Sequence, residues 1–194
     1  MKCATSYSLL RPSIPLPARL ADLLCVGVAS ICIAVSARLQ VHVPFSPVPL
    51  TFQTFAVLLT AVLLGPARAF GAVTLYLLEG IAGLPVFARG GGAWYLVGPT
   101  GGYLLGFLPG ALATGMLAER GWDRSWVGAF GAMMVGSVVI LACGTAWLAV
   151  LVGASSAFTA GFVPFVIGDA AKNAAAATVL PRVRGVVERS AFRV

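Results

Sequence analysis

Charge is what this chain has least of. Only 10% of its 194 residues are Asp, Glu, Lys or Arg, against 59% that are hydrophobic. Soluble domains carry about 25% charged and roughly 45–50% apolar residues, so the composition is that of an integral membrane protein. Histidine is nearly absent: the single one, His42, sits in a proline-rich connector and reads as a solvated loop residue. With one loop histidine and no His-Glu-x-x-His, there is no nucleophile–base or metal set for an intramembrane enzyme. The four cysteines, Cys3, Cys25, Cys32 and Cys143, form no Cys-x-x-Cys pair. That pattern indicates neither a disulfide framework nor a zinc site. No Gly-x-x-x-x-Gly-Lys-Ser/Thr occurs, so the run Gly90-Gly91-Gly92 is not a phosphate loop. No cofactor is expected, and any energy from ATP must come from another chain.

What is abundant is apolar sequence, cut into runs by Pro, Gly and charge. The runs predict six helices at about 19–38, 51–64, 67–82, 101–118, 126–152 and 162–180. The expected fold is therefore an all-α bundle of six transmembrane helices in one membrane domain, 1–194. A full crossing needs roughly 20 residues, and the second and third runs are short. Six crossings place ten of the 13 basic residues on one side: Lys2, Arg11, Arg19, Arg68, Arg120, Arg124, Arg182, Arg184, Arg189 and Arg193. The other side holds Arg38 and Arg89. By the positive-inside rule both termini are cytoplasmic, and the net charge of +7 requires no nucleic acid as partner. The N-terminus does not read as a signal peptide, because two prolines and Arg19 precede an apolar run long enough to span.

Against this background Asp169 and Lys172 stand out. Their i, i+3 spacing puts both charges on one face of the last helix. Each costs roughly 2.5–3.5 kcal/mol in a bilayer interior on insertion scales, so the pair is expected to face a cavity or a partner. A purely structural ion pair is the alternative. Other unusual residues collect on the same, external side. Pro44, Pro47 and Pro49 exclude a helix from the first connector and favour extended backbone, as a lid or as a stiff link. The connector 83–103 carries seven glycines with Arg89, Trp94, Tyr95 and Tyr103. Glycine permits close backbone approach and aromatic rings supply flat apolar walls. Gln53, Glu79, Thr100 and Tyr103 reach similar heights on their own helices. A pocket open to the outside is the expectation, with Asp169, Lys172, Gln53, Tyr103, Thr100, Glu79, Trp94 and Arg89 as candidate substrate contacts. In the first helix Ala21, Cys25 and Ala29, with Ser30 and Ala34 one position on, form small-xxx-small faces. They serve either internal packing or docking of another membrane subunit.

Four motifs carry a resemblance: Val43-Pro-Phe-Ser-Pro-Val-Pro-Leu-Thr-Phe-Gln53, Gly83-Leu-Pro-Val-Phe87, Gly98-Pro-Thr-Gly-Gly-Tyr-Leu-Leu-Gly-Phe107 and Pro164-Phe-Val-Ile-Gly-Asp-Ala-Ala-Lys172. In order and spacing the chain resembles the BioY family, the biotin-binding S components of energy-coupling factor (ECF) vitamin transporters. The resemblance implies a six-helix capture subunit of the bacterial inner membrane. Its implied partners are a transmembrane coupling protein and two cytoplasmic ATPases. It also implies Asp169 and Lys172 as biotin contacts, with either end of the vitamin open to either residue. Cys25 stands where family members often have Ala in the docking stripe, and Arg89-Gly-Gly-Gly-Ala-Trp-Tyr95 replaces a mostly small, apolar segment. A stand-alone secondary transporter is the competing class, but the paired, broken-helix repeats of such proteins are not evident.

Overall fold

The computed structural model describes residues 16–41, 44 and 46–191, with residue 183 and the last six as backbone only. His42 and the basic residues Lys2, Arg11 and Arg193 lie outside the described residues, as does Cys3; of Arg189 only the backbone is described. Among the described residues there are seven α-helices: α1 Ala18–Arg38, α2 Gln53–Leu64, α3 Pro66–Ile81, α4 Gly101–Glu119, α5 Trp126–Val152, α6 Ala154–Gly161 and α7 Val163–Ala191. The six helices read from sequence are all present, with boundaries within about two residues except at the C-terminal end of the last.

Each boundary has a local cause. Gly65, at φ 82°, ends α2 where few side chains are tolerated, and Pro66 opens α3 at a position whose N–H needs no helical partner. Ser125 caps α5 by accepting the Gly128 N–H at 3.1 Å. Four stretches are long and apolar enough to cross a bilayer: Ala18–Arg38, Gly101–Glu119, Trp126–Val152 and Ala154–Arg182. With 12 residues, α2 reaches only about 18 Å at ~1.5 Å per residue, well short of a hydrocarbon core of about 30 Å.

Two expectations need correction. The last helix does not stop at 180; it continues through Pro181 to Ala191. Proline removes one backbone donor, but in a tightly packed helix this bends the path rather than ending it. Beyond it Arg184, read from sequence as a loop charge that sets topology, is buried and forms an ion pair with Asp123 in the short 3-10 turn Trp122–Arg124 between α4 and α5. That pair fastens the extension to the bundle. For the small residues of α1, packing and docking were both open. Ala21, Ala29 and Ser30 are buried inside the bundle, while Cys25 and Ala34 are half-buried. Ser30 donates to Glu79 Oε2 of α3 at 2.8 Å. The buried members of the stripe thus let α1 approach α3, which is the packing reading of the pattern.

The closest helix approach lies elsewhere, between α4 and α5. A Cβ added at Gly102, Gly106 or Gly110 would come within 2.2 Å of Trp147, 2.9 Å of Cys143 and 2.5 Å of Ile140 respectively. The spacing is again small-xxx-small. This seam holds α4 rigid, and the residues at its first turn face the site.

The first connector is a two-stranded antiparallel hairpin, β1 Gln40–Val41 and β2 Leu50–Thr51, in register Gln40↔Thr51 and Val41↔Leu50. Between the strands, Val48 and Pro49 are buried while Pro44 and Pro47 are exposed. The second connector contains the 3-10 helix Ala93–Val97 and buries Phe87 against Tyr76 and Tyr95, with ring centroids 5.5 and 5.0 Å away.

Candidate functional site

Hairpin, second connector and the first turns of α2, α4 and α7 meet at one end of the bundle. They enclose an inner cavity of about 40 Å³ whose walls include Pro49, Thr51, Gln53, Tyr95, Thr100, Tyr103 and Phe165. Outside it lies a vestibule of about 260 Å³ bounded by Pro47, Arg89, Trp94 and Gly98. Pro49, Tyr95 and Thr100 border both spaces and form the partition between them.

Gln53 is held by a chain of side chains. Its Oε1 accepts from Thr51 Oγ1 at 3.1 Å, its Nε2 donates to Tyr76 Oη, and that hydroxyl reaches the Val86 carbonyl at 3.4 Å. One polar thread thus links hairpin, α2, α3 and second connector. Tyr103 is seated against Gly144 and Gly161, where an added Cβ would lie 2.1 and 2.4 Å from its atoms. Its hydroxyl donates to the Gly161 carbonyl at 2.7 Å, and its ring stacks on Phe165 at 5.8 Å. The hydroxyl therefore serves the fold, while the ring serves as cavity wall.

Asp169 and Lys172 do not line the inner cavity. Phe165, one turn earlier on α7, is in the wall, and Thr51 connects the two sides: Lys172 Nζ donates to its carbonyl at 3.1 Å. Lys172 also lies 2.7 Å from Asp169 Oδ1 and 5.6 Å from the centre of the Phe52 ring. The side chains of Asp169 and Lys172 are only 2% and 14% exposed, so neither charge is solvated by bulk water. Asp169 Oδ1 is matched by the Lys172 ammonium, and its buried Oδ2 has no hydrogen-bond donor among the described residues. An unmatched buried acceptor is costly.

Of the eight candidate contacts, then, Gln53, Thr100 and Tyr103 share the inner cavity, and Arg89 and Trp94 share the vestibule with Thr100. Asp169 and Lys172 stand behind β2. Glu79 is not brought to the group; it borders neither space and accepts from Ser30 across α1 and α3. Sequence reasoning did not single out Thr51, Thr54, Tyr95 or Phe165 as contacts. Tyr95 was visible as an aromatic in the glycine-rich connector, and Phe165 as the residue one turn before Asp169. Nothing in the sequence pattern said that β2 would carry Thr51 between Lys172 and the cavity.

A membrane-embedded helical bundle with a roofed pocket, aromatic walls and a buried Asp–Lys pair is a capture site for a small molecule bearing both apolar and hydrogen-bonding groups. The chain belongs to the BioY family, whose model matches residues 9–189. It is 42% identical over 171 residues to the biotin transporter BioY of Thermotoga maritima, covering 87% of this chain and 99% of the relative. It is 37% identical over 151 residues to the probable biotin transporter BioY of Pyrococcus horikoshii, covering 77% and 89%. The fold is that of the crystallised S-component for biotin from an ECF-type ABC transporter, with a TM-score of 0.77 at 23% identity over 86% of this chain and 92% of that one.

Proposed function

We propose that this chain captures biotin from outside the cell and is the substrate-specific subunit of an ATP-driven ECF-type vitamin transporter. The family membership supports biotin as the ligand, and one structural observation supports the place: the buried Asp169–Lys172 pair, its Oδ2 without a donor among the described residues, is tied through the Thr51 carbonyl to the wall of an aromatic-lined cavity. Biotin offers two ureido N–H donors and a carbonyl, an apolar sulfur ring and alkyl chain, and a carboxylate. Asp169 accepts N–H bonds and Lys172 meets a carbonyl or carboxylate with a charge-assisted bond. Gln53 and Thr100 add neutral partners, and the Tyr95, Tyr103 and Phe165 rings enclose the apolar part.

Alone, the inner cavity of about 40 Å³ holds little more than water. Joined to the vestibule by displacement of Pro49, Tyr95 and Thr100, it reaches the lower end of the ~300–1,000 Å³ usual for small-ligand pockets. Capture therefore requires the proline segment of the hairpin to move. In the inner membrane, the four long spans cross and the 12-residue α2 and 16-residue α3 go in and back as a short pair, which leaves both termini in the cytoplasm. The partners are a transmembrane coupling protein and two ATPases, which supply the energy that opens a site built to hold its ligand tightly. Uptake of labelled biotin in cells with and without the coupling module tests this directly. Uptake against a gradient should require the module; equal accumulation without it would make the chain a stand-alone transporter.

A further inference from the structure

The hairpin and the second connector each supply part of the inner cavity wall, and side chains join them along two routes. One is the thread from Thr51 through Gln53 and Tyr76 to the Val86 carbonyl. The other starts from the same strands. Gln40 faces Thr51 across the β1–β2 ladder, and cross-strand partners carry their side chains on one face of a hairpin. Gln40 Nε2 donates to the Ala88 carbonyl at 3.2 Å. Only Phe87 separates Val86 from Ala88, so the two routes close a ring that begins and ends at Thr51. Thr51, Gln53 and Ala88 all stand in the cavity wall.

The segment gripped by this ring is firm. Phe87 is fully buried, and a Cβ added at Gly80 would lie 2.0 Å from its ring. Phe87 and Gly90 exchange backbone hydrogen bonds at 2.8 and 3.2 Å. Ala88 and Arg89 therefore form the tip of a tight turn, Ala88 lining the inner cavity and Arg89 the vestibule. Arg38, at the end of α1, steadies the approach to the turn by donating to the Pro85 carbonyl. The Gln40 amide itself adds little net stability. Its Oε1 is buried with no donor among the described residues, and an unmatched acceptor offsets what the bond to Ala88 contributes.

We infer that Gln40 is a positioning residue for capture. By tying β1 to the Ala88 carbonyl it fixes the separation of the Thr51 and Ala88 walls, and so the width of ligand that the cavity accepts. Its hold on the wall stands on the geometry; its effect on affinity rests on the biotin reading above. Once the ring is open, the turn is free to shift away from the hairpin. A fused two-ring ligand such as biotin then loses fit, whereas desthiobiotin, with one ring, loses little.

Two measurements on the full chain in detergent test this, the first without ligand. Gln40→Met keeps the length of the side chain and removes both the donor and the unmatched acceptor. Hydrogen exchange at the Phe87 and Gly90 amides should quicken by about tenfold, the worth of one neutral hydrogen bond. Exchange along α4 and the melting temperature should stay as in wild type. Titration should then show biotin held about tenfold more weakly and desthiobiotin nearly as before. Tyr76→Phe, which opens the ring on its other side, should reproduce the faster exchange and the narrowed preference, and should add less to Gln40→Met than it does alone. Unchanged exchange at Phe87 and Gly90 in Gln40→Met would overturn the hold. Equal losses for both ligands, or a melting temperature that falls in step with affinity, would overturn the positioning role. Faster exchange in a chain whose wild type binds neither ligand would uphold the hold and overturn the biotin reading instead.

Discussion

At the scale of single residues, the side chains around the cavity divide into those whose polar atoms are already engaged and those whose are not. Tyr103 is of the first kind: its hydroxyl is given to the Gly161 carbonyl at 2.7 Å. Tyr103→Phe should keep the ring wall and the biotin affinity within about threefold, while thermal unfolding in detergent shows a loss of roughly 1 kcal/mol for the missing bond. A collapse of affinity instead would mean that the hydroxyl touches the ligand. Asp169 is half of each kind: its Oδ1 meets Lys172 at 2.7 Å, and its Oδ2 has no donor among the described residues. The sequence singles the pair out because a carboxylate and a lysine one turn apart in an apolar run are expensive in a bilayer. Glu79 shows the limit of that logic. Its height on α3 matched the others, but which way a helix face turns is decided by packing, and the small residue Ser30 drew it toward α1.

At the scale of elements, most of the fold was legible because apolar runs ended by Gly, Pro or charge mark helix ends directly. Gly65-Pro66 and Ser125 lie at boundaries read from sequence. The extension of α7 was not legible, since Pro181 followed by four arginines looks like a helix end and a solvated tail. Only tertiary contact with Asp123, distant in sequence, makes Arg184 a buried residue. Arg184→Ala strands a buried carboxylate and should destabilise the protein by about 3–5 kcal/mol, whereas replacing both partners by apolar residues should cost far less. The pair also has a pH signature. Burial raises the Asp123 carboxyl above its ordinary value of 3.8, and Arg184 offsets only part of that. The folded chain therefore holds this proton more tightly than the unfolded chain does. The group's contribution favours folding below its raised pKa and is lost as pH rises through it. Melting curves of wild type against Asp123→Asn, from about pH 4 upward, should show wild type losing ground steadily. A difference independent of pH would contradict the assignment. Likewise the α1 stripe and the Gly102-Gly106-Gly110 seam have the same spacing. Spacing says that a helix will be approached closely, and only the assembled bundle says by which neighbour.

At the scale of the whole molecule, the chain is asymmetric from end to end. One end holds the hairpin, the glycine-rich connector and the candidate site; the other holds Arg68, Arg120, Arg124 and Arg182, the Arg184–Asp123 pair and the C-terminal half of α7. If the basic end faces the cytoplasm, a cysteine placed after Pro181 should react with a membrane-impermeant maleimide only in inverted vesicles. Reaction in intact cells would reverse the orientation and put the proposed site on the wrong side for uptake.

All of this turns on whether biotin binds beside Asp169 and Lys172, and isothermal titration of the purified chain with biotin measures that. Wild type should bind tightly at one site. Asp169→Asn and Lys172→Ala, each still folded by its melting curve, should each weaken binding by about a hundredfold or more, as expected when a charged hydrogen bond is removed from a closed pocket. Near-normal affinity in both variants would contradict the placement of the ligand.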